Sequence, residues 1–413
     1  MTLEAEAPQA ETPPAKWSDT LAHDLEPVSV GGFTSQEYYD REIKQMWNRI
    51  WIHFCQVRDL PKPGDYVVKT IPWTKSSVVV ARGRDGELHA YHNVCSHRCN
   101  RLVNETQGNA KNFQCIFHGW VYNLDGSLRA IPDQENYFNL DRSKLGLTKV
   151  HVGEWKDFVF INLAPEPPET LEEFLGGYPE MVHDFPFENF TQEFTWTIEV
   201  DANWKALRDA FAEAYHVPFQ HDKTIGDGWN SKDNPFTHNL HIGTAKYHWM
   251  FSTYGNSGMT LNPMEALAMS RVSVGSLLAR DVEIQLPTCL NPTRKPNWAG
   301  DITQIFPSLE IIVLAGFFIV YNFWPVARDK SIMRASVYHL PPQNATQRWS
   351  QQVGATSFFS LIREDVYTAE AVQSTMGSGA KTHIHLADEE LCVRHSHYWN
   401  QQIVGPYPEA GAP

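Results

Sequence analysis

The sequence predicts an α+β protein of two domains: a β-rich first domain, and a second built on an antiparallel sheet covered by helices. Three observations lead there. At 413 residues the chain is too long for one small core. From about residue 53 to 165 it reads as short apolar strands broken by turn signals, whereas beyond 166 longer strand-like runs mix with two helical patterns. Between these parts "APEPPETLEEF" (164–174) is Pro-rich and supplies the boundary.

The opening "MTLEAEAPQAETPPAKW" carries acids, Pro and Ala where a signal peptide needs a basic start and an apolar core, so residues 1–16 are expected to be a disordered lead-in. Within 17–52, "SQEYYDREIKQMWNRIW" (35–51) places Tyr39, Ile43, Met46 and Ile50 on one stripe, predicting a helical segment that packs on the second domain. In 53–165, "KPGDY", "GRDGEL", "NLDGSL" and "WKDFVFINL" mark turns, and Asp-Gly between alternating apolar residues is a hairpin signal. In 166–413, strands are expected over 193–200, 237–252, 309–322 and 332–340, and helices over 203–216 and 356–375. The longest apolar run, Ile311 to Tyr321, has 11 residues and reads as one buried strand; a bilayer span needs roughly 20.

Composition narrows the function classes. Hydrophobic residues make up 42% and charged residues 20%, as in ordinary globular proteins. A net charge of −14 with no basic stripe excludes a nucleic-acid binder, and no segment predicts membrane insertion. Six cysteines in this length do not form a disulfide framework, and a reducing cytoplasm is the expected location.

Two constellations carry chemistry. In "NVCSHRCNRLVNETQGNAKNFQCIFHGW" (93–120), Cys95-x-His97 and Cys115-x-x-His118 are separated by 17 residues, enough for two facing loops around a metal. Structural zinc is one reading, although zinc modules group like ligands together. Mixed pairs suit a two-iron cluster with thiolates on one iron and imidazoles on the other, the Rieske [2Fe–2S] arrangement. In "NWKALRDAFAEAYHVPFQH" (203–221), Asp209, Glu213 and His216 follow i, i+4, i+7 and are expected on one helix face. Pro218 should break that helix and swing His221 back toward His216. On "SFFSLIREDVYTAEAVQ" (357–373), Phe358, Ile362, Ala369 and Val372 step at core spacing with Asp365 on the same stripe. A buried carboxylate needs a partner, either the charged neighbours Arg363 and Glu364 or a metal shared with His216 and His221. Two histidines and one carboxylate form the facial triad of non-haem Fe(II) oxygenases.

The motifs "CSHR…CIFHGWVYNLDG" and "NWK…E-x-YH-x₄-H…D", in that order over about residues 35–400, resemble the terminal oxygenase alpha subunits of the Rieske non-haem iron ring-hydroxylating family. The resemblance implies a Rieske domain at 53–165 whose [2Fe–2S] cluster is held by Cys95, His97, Cys115 and His118, and a catalytic domain at 166–413 whose mononuclear Fe(II) is held by His216, His221 and Asp365. Glu213 stands at the family's bridging acid, which links a ligand of the mononuclear iron to the His118 counterpart of a neighbouring subunit. The acid–Asn pair of many relatives is here Asp209–Ala210, so the Asn is missing. Cys99 stands where the family usually has glycine, and packs in this reading as a small buried residue.

The resemblance also implies a reaction and its partners. Electrons from NAD(P)H are expected through a separate reductase, with or without a ferredoxin, since the chain has no Gly-rich dinucleotide fingerprint. The expected reaction takes O₂ and a small hydrophobic, aromatic or other ring substrate to a cis-dihydrodiol; monohydroxylation or N-/O-demethylation is the alternative. A homotrimer, with or without a beta subunit, is implied. A non-catalytic electron carrier or zinc protein is the rival from another class. His383, His385, His395 and His397 are read as exposed and not as a third metal site, and "KYHWMFSTYGNSGMTLNPM" (246–264) as either pocket wall or core.

Overall fold

The computed structural model describes residues 16–20, 25–259, 263, 267, 286–314 and 316–410. The expected lead-in falls, except for residue 16, outside the described residues, as does most of 246–264 beyond residue 259. Nineteen strands are described, and they are numbered here in chain order.

A two-residue strand β1 (Val28–Ser29) precedes the first large sheet. That sheet combines β2 (Ile52–Gln56), β3 (Asp65–Ile71), β4 (Ser76–Arg82), β5 (Leu88–His92), β6 (Gln107–Asn109), β10 (Lys149–Trp155) and β11 (Phe158–Asn162) in the order β2-β11-β10-β5-β4-β3-β6, every pair antiparallel. A small sheet of β7 (Phe113–Gln114), β8 (Val121–Tyr122) and β9 (Leu128–Ala130) stands beside it. Both Asp-Gly hairpins form where expected. Gly86 and Gly126 take φ of 87° and 82°, and the Asp85 and Asp125 carboxylates each accept the amide two residues on, from Glu87 and Ser127.

The second large sheet orders β12-β18-β17-β16-β15-β14-β13 and is again antiparallel throughout. Its strands are β12 (Gln192–Val200), β13 (His241–Ala245), β14 (His248–Tyr254), β15 (Trp298–Ile305), β16 (Leu309–Leu314), β17 (Phe317–Ala327) and β18 (Lys330–His339). Two expected single strands are hairpins. The 237–252 run divides at Lys246 (φ 52°), and the apolar run Ile311–Tyr321 turns at Gly316 (φ 90°). Apolar residues continue through that turn because both of its strands are buried, so hydrophobicity alone carries no break signal. Strand β15 was not anticipated: its eight residues are all buried, and Asp301, Thr303 and Gln304 among them interrupt the apolar pattern.

The helices also depart from expectation. The N-terminal segment forms α1 (Gln36–Glu42), capped by Ser35, and continues through a π-helical turn over Ile43–Trp47. The 203–216 helix is not continuous: α2 covers only Trp204–Asp209, turns follow, and α3 (Val217–Gln220) begins after His216. Pro218 has no N–H to give the Ala214 carbonyl, and the His216 amide bonds the Glu213 carboxylate instead of a helical carbonyl. The 356–375 helix is longer than expected, α4 spanning Ala345–Met376. Ile362, Asp365 and Ala369 face inward, but Val372 is exposed. Strand β19 (His383–Ile384) pairs with β1, and α5 (Leu391–Val404) closes the chain against β14 and the N-terminal segment.

One apolar core joins the N-terminal segment, the first large sheet and part of the second, while separate clusters lie at the small sheet and under α4. Trp47 lies 5.0 Å from both Trp73 and Trp204, ring centroid to centroid, and Phe187 packs edge-on against Phe158 of β11 and Phe318 of β17. Beneath it Lys205 and Glu42, both fully buried, meet at 2.7 Å and join α1 to α2.

Candidate metal centres

The loop after β5 presents Cys95 and His97; the turn between β7 and β8 presents Cys115 and His118. The two loops have the same internal frame. The Cys95 carbonyl accepts from the amide of Cys99 and that of Cys115 from Gly119, four residues on; the Cys95 and Cys115 amides donate to the carbonyls of Asn100 and Trp120, five residues on. Residues 99 and 119 both need a left-handed backbone, with φ of 57° and 73°. Cys99 therefore holds the place that glycine holds in the partner loop, and it is exposed, not buried as expected.

Tyr122 Oη accepts the Ser96 amide and so directs its own hydrogen at Cys95 Sγ, 3.3 Å away, while Asn100 Nδ2 donates to Cys115 Sγ at 3.7 Å. Burial works against both thiolates and leaves Cys95 raised; amide donors at Phe117 and His118, with Cys95 and Asn100, bring Cys115 below the ordinary thiol value. The His97 and His118 rings lie 4.4 Å apart, with His97 stacked on Trp120. The Nδ1 atoms of both are buried without a hydrogen-bond partner. Two sulfurs that receive hydrogen bonds and two imidazole nitrogens left free fit a [2Fe–2S] cluster of the Rieske kind. The rim is apolar: Ile116, Phe117 and Phe138 are exposed.

The second constellation also comes together. His216 Nε2 and His221 Nε2 are 3.2 Å apart, and Asp365 Oδ1 is 3.0 Å from His221 Nε2 and 3.5 Å from His216 Nε2. Among the described residues this trio is the group of metal-binding side chains whose donor atoms all fall within 4.8 Å. Each ring is held from behind. The Glu213 carboxylate takes His216 Nδ1–H and the His216 amide, and Glu364 Oε2 takes His221 Nδ1–H at 2.6 Å, itself receiving Thr224 Oγ1–H. Burial disfavours a charged His216, but Glu213 and Asp365 override it and raise its pKa to about 10; His221 is raised in the same way by Asp365 and Glu364. Three carboxylates around two imidazoles favour positive charge at this point, and a divalent cation on the converging Nε2, Nε2 and Oδ1 atoms would supply it in place of the imidazole protons. The donor set fits mononuclear iron.

Asp209 is not part of this group. Since the helix ends there, it turns to Arg208 and to His397 Nε2, 2.8 Å away. His395 and His397, expected to be exposed, are buried on α5: the two ring nitrogens of His397 bond Tyr407 and Asp209, and His395 Nε2 lies 2.9 Å from the Lys246 carbonyl and 3.1 Å from Trp399 Nε1. Of the 246–264 stretch, His248–Tyr254 is β14 and buried throughout, whereas Lys246 is exposed. Sequence reasoning named Glu364 only as a neighbour of Asp365 and did not reach Gln220, Thr224 or Thr368. Their available signal was spacing: Gln220 and Thr224 flank His221, as Glu364 and Thr368 flank Asp365.

The family model for the Rieske [2Fe-2S] domain matches residues 50–150, and that for the ring hydroxylating alpha subunit (catalytic domain) matches residues 187–405. The 2-aminobenzenesulfonate 2,3-dioxygenase subunit alpha of Alcaligenes sp is 30% identical over 90% of this chain and 92% of its own length. The carnitine monooxygenase oxygenase subunit of Escherichia coli (strain K12) is 32% identical over 52% of this chain and 58% of its own. Among solved structures, a quaternary ammonium Rieske monooxygenase superposes with a TM-score of 0.73 at 19% identity, covering 91% of this chain and 95% of that one. Naphthalene 1,2-dioxygenase from Rhodococcus sp. gives 0.70 at 22%, covering 92% and 95%; both likenesses concern the fold. The chain belongs to the Rieske ring-hydroxylating oxygenase alpha subunits, with a Rieske [2Fe–2S] domain and the catalytic domain that binds mononuclear iron.

Proposed function

We propose that this chain is the terminal oxygenase of a multicomponent system that cis-dihydroxylates an aromatic or other hydrophobic ring, with Cys95, His97, Cys115 and His118 holding the cluster and His216, His221 and Asp365 the mononuclear iron. The observation that carries the reading is the convergence of the two Nε2 atoms and Oδ1 within hydrogen-bonding distance of one another, downstream of a Rieske loop pair in the same chain. Bound there, the cluster supplies electrons singly and the ferrous centre activates O₂.

The residues of the chain supply placement. Glu213 and Glu364 fix the tautomer and orientation of His216 and His221, so that both present Nε2 to the same point. Glu213 is 10% exposed, and Tyr215 and Phe219 near it in sequence, with Tyr367 two residues after Asp365, are exposed and taken here as the rim of the site. The tip formed by Ile116, Phe117 and Phe138 beside His118 is a matching apolar surface. Seating that tip of one copy on the rim of the next would bring His118 to Glu213 across a subunit boundary in a ring, for which a homotrimer is the proposed form. A separate reductase, with or without a ferredoxin, would deliver electrons from NAD(P)H. No helix among the described residues is long and apolar enough to cross a membrane.

Dihydroxylation is favoured by the near full-length similarity to the dioxygenase alpha subunit acting on an aminobenzenesulfonate. Monooxygenation is the second reading, supported by the partial similarities to carnitine and glycine betaine monooxygenases. Turnover under ¹⁸O₂ with a reconstituted reductase and a panel of aromatic and N-methyl substrates tests both. Two labelled oxygens in one ring diol are expected. One labelled oxygen in product and one in water, or formaldehyde release, would replace dihydroxylation by the second reading. Asp365→Ala should abolish product while the cluster's EPR signal persists; retained turnover would overturn the iron assignment.

A further inference from the structure

Gln220 lies directly before His221, at the end of α3, and its side chain spans the gap to α4. Its Nε2–H donates to Asp365 Oδ1, and its Oε1 accepts from Thr368 Oγ1–H at 2.7 Å. Asp365 and Thr368 are three residues apart on α4 and so share a face, which lets one amide reach both. The oxygen that receives Gln220 is the one that faces His221 Nε2 and His216 Nε2. A carboxylate oxygen has two lone-pair directions, so a metal and the amide can share it. The carboxylate, which only accepts, fixes which end of the amide looks at Asp365, and Thr368 Oγ1–H then donates to the Oε1 that faces it.

We propose that Gln220, anchored by Thr368, is a positioning residue that sets the rotation of the Asp365 carboxylate at the metal. With Thr224–Glu364–His221 on the other side, it forms one of two clasps that tie the histidine loop to the carboxylate helix. The inference rests on His216, His221 and Asp365 being the metal ligands.

The test uses the full chain with its cluster in place, stripped of mononuclear metal and titrated with Co²⁺ alone. Gln220→Ala is expected to weaken Co²⁺ binding ten- to a hundred-fold, on the order of other outer-shell losses, and to shift the Co²⁺ visible bands. Thr368→Val should weaken it through the same contact, so that the double variant binds no more weakly than Gln220→Ala alone. Thr368→Ser, which keeps the hydroxyl, should stay within about twofold of the parent protein. Cluster EPR and thermal unfolding should be unchanged in all of them, which separates positioning from a general loss of structure. Parent-like affinity and bands in Gln220→Ala, with Asp365→Ala no longer binding, would overturn the role of Gln220; so would additive losses. Parent-like binding in Asp365→Ala would overturn the ligand assignment itself.

Discussion

Replacing Lys205 by Met tests what holds the metal-bearing segment against the rest of the chain. Lys205 lies in the first turn of α2, whose exit leads through Asp209 to Glu213 and His216. Its ammonium is fully buried, 2.7 Å from an equally buried Glu42, and lies over the rings of Phe33, Tyr38 and Trp204 at 5.5, 5.7 and 5.1 Å. Met keeps most of the aliphatic stem, so the loss is chiefly the charge. Glu42 would retain only the donors Trp204 Nε1 and Asn400 Nδ2, each at 3.3 Å. Stranding one member of a buried ion pair costs about 3–5 kcal/mol, a large share of the roughly 5–15 kcal/mol that holds a native protein together. Burial already pushes the Glu42 carboxyl upward, so the variant should take up a proton there, and its deficit should shrink as pH falls. Urea denaturation followed by tryptophan fluorescence is the assay, since Trp47 and Trp204 flank the pair. Glu42→Gln added to Lys205→Met leaves a neutral acceptor for both donors and should recover most of the loss. A deficit under about 1 kcal/mol in Lys205→Met, or no recovery in the double variant, would refute this account.

Local geometry sets two further outcomes. His248 is fully buried, with Nε2–H donated to the Phe174 carbonyl and Nδ1 accepting the Phe306 amide, so a second proton has no site; burial lowers its pKa to about 3. Below an unfolded value near 6.5 the unfolded chain binds the proton and the folded one does not. The stability His248 contributes is therefore whole above pH 6.5 and is lost as pH falls toward 3, by up to about 1.4 kcal/mol per pH unit. His248→Gln should flatten the dependence between pH 6.5 and 5 by about that slope; an unaltered slope argues against it. Cys99→Gly, at a φ of 57°, should keep the cluster's EPR signal with stability equal or up to about 1 kcal/mol higher, whereas Cys99→Val should lose more than about 1 kcal/mol, read from thermal bleaching of the cluster. Equal stability of the glycine and valine variants would show that residue 99 bears no backbone strain.

Much of the centre was legible because its chemistry is written in short spacings. Cys-x-His and Cys-x-x-His lie within loops of a few residues, so their mutual geometry is local, and the Asp-Gly hairpins beside them are set by φ alone. Pro218 signalled the return of His221 for the same reason. The helix through Glu213 was misread because its periodicity persists past the point where a side chain replaces a backbone acceptor. The apolar run 311–321 was misread because a hairpin buried on both strands has no polar face to mark its turn.

By itself the sequence named the two candidate ligand sets and their order, the antiparallel α+β character and the family resemblance, all of which rest on residue identity and on spacing within short motifs. Only the tertiary structure decided which carboxylate stands behind which histidine, why residue 99 needs a glycine-like backbone, and that Gln220 and Thr368 reach Asp365. Those contacts join positions up to 148 residues apart, and their partners are selected by packing of the sheet and α4 rather than by any local pattern.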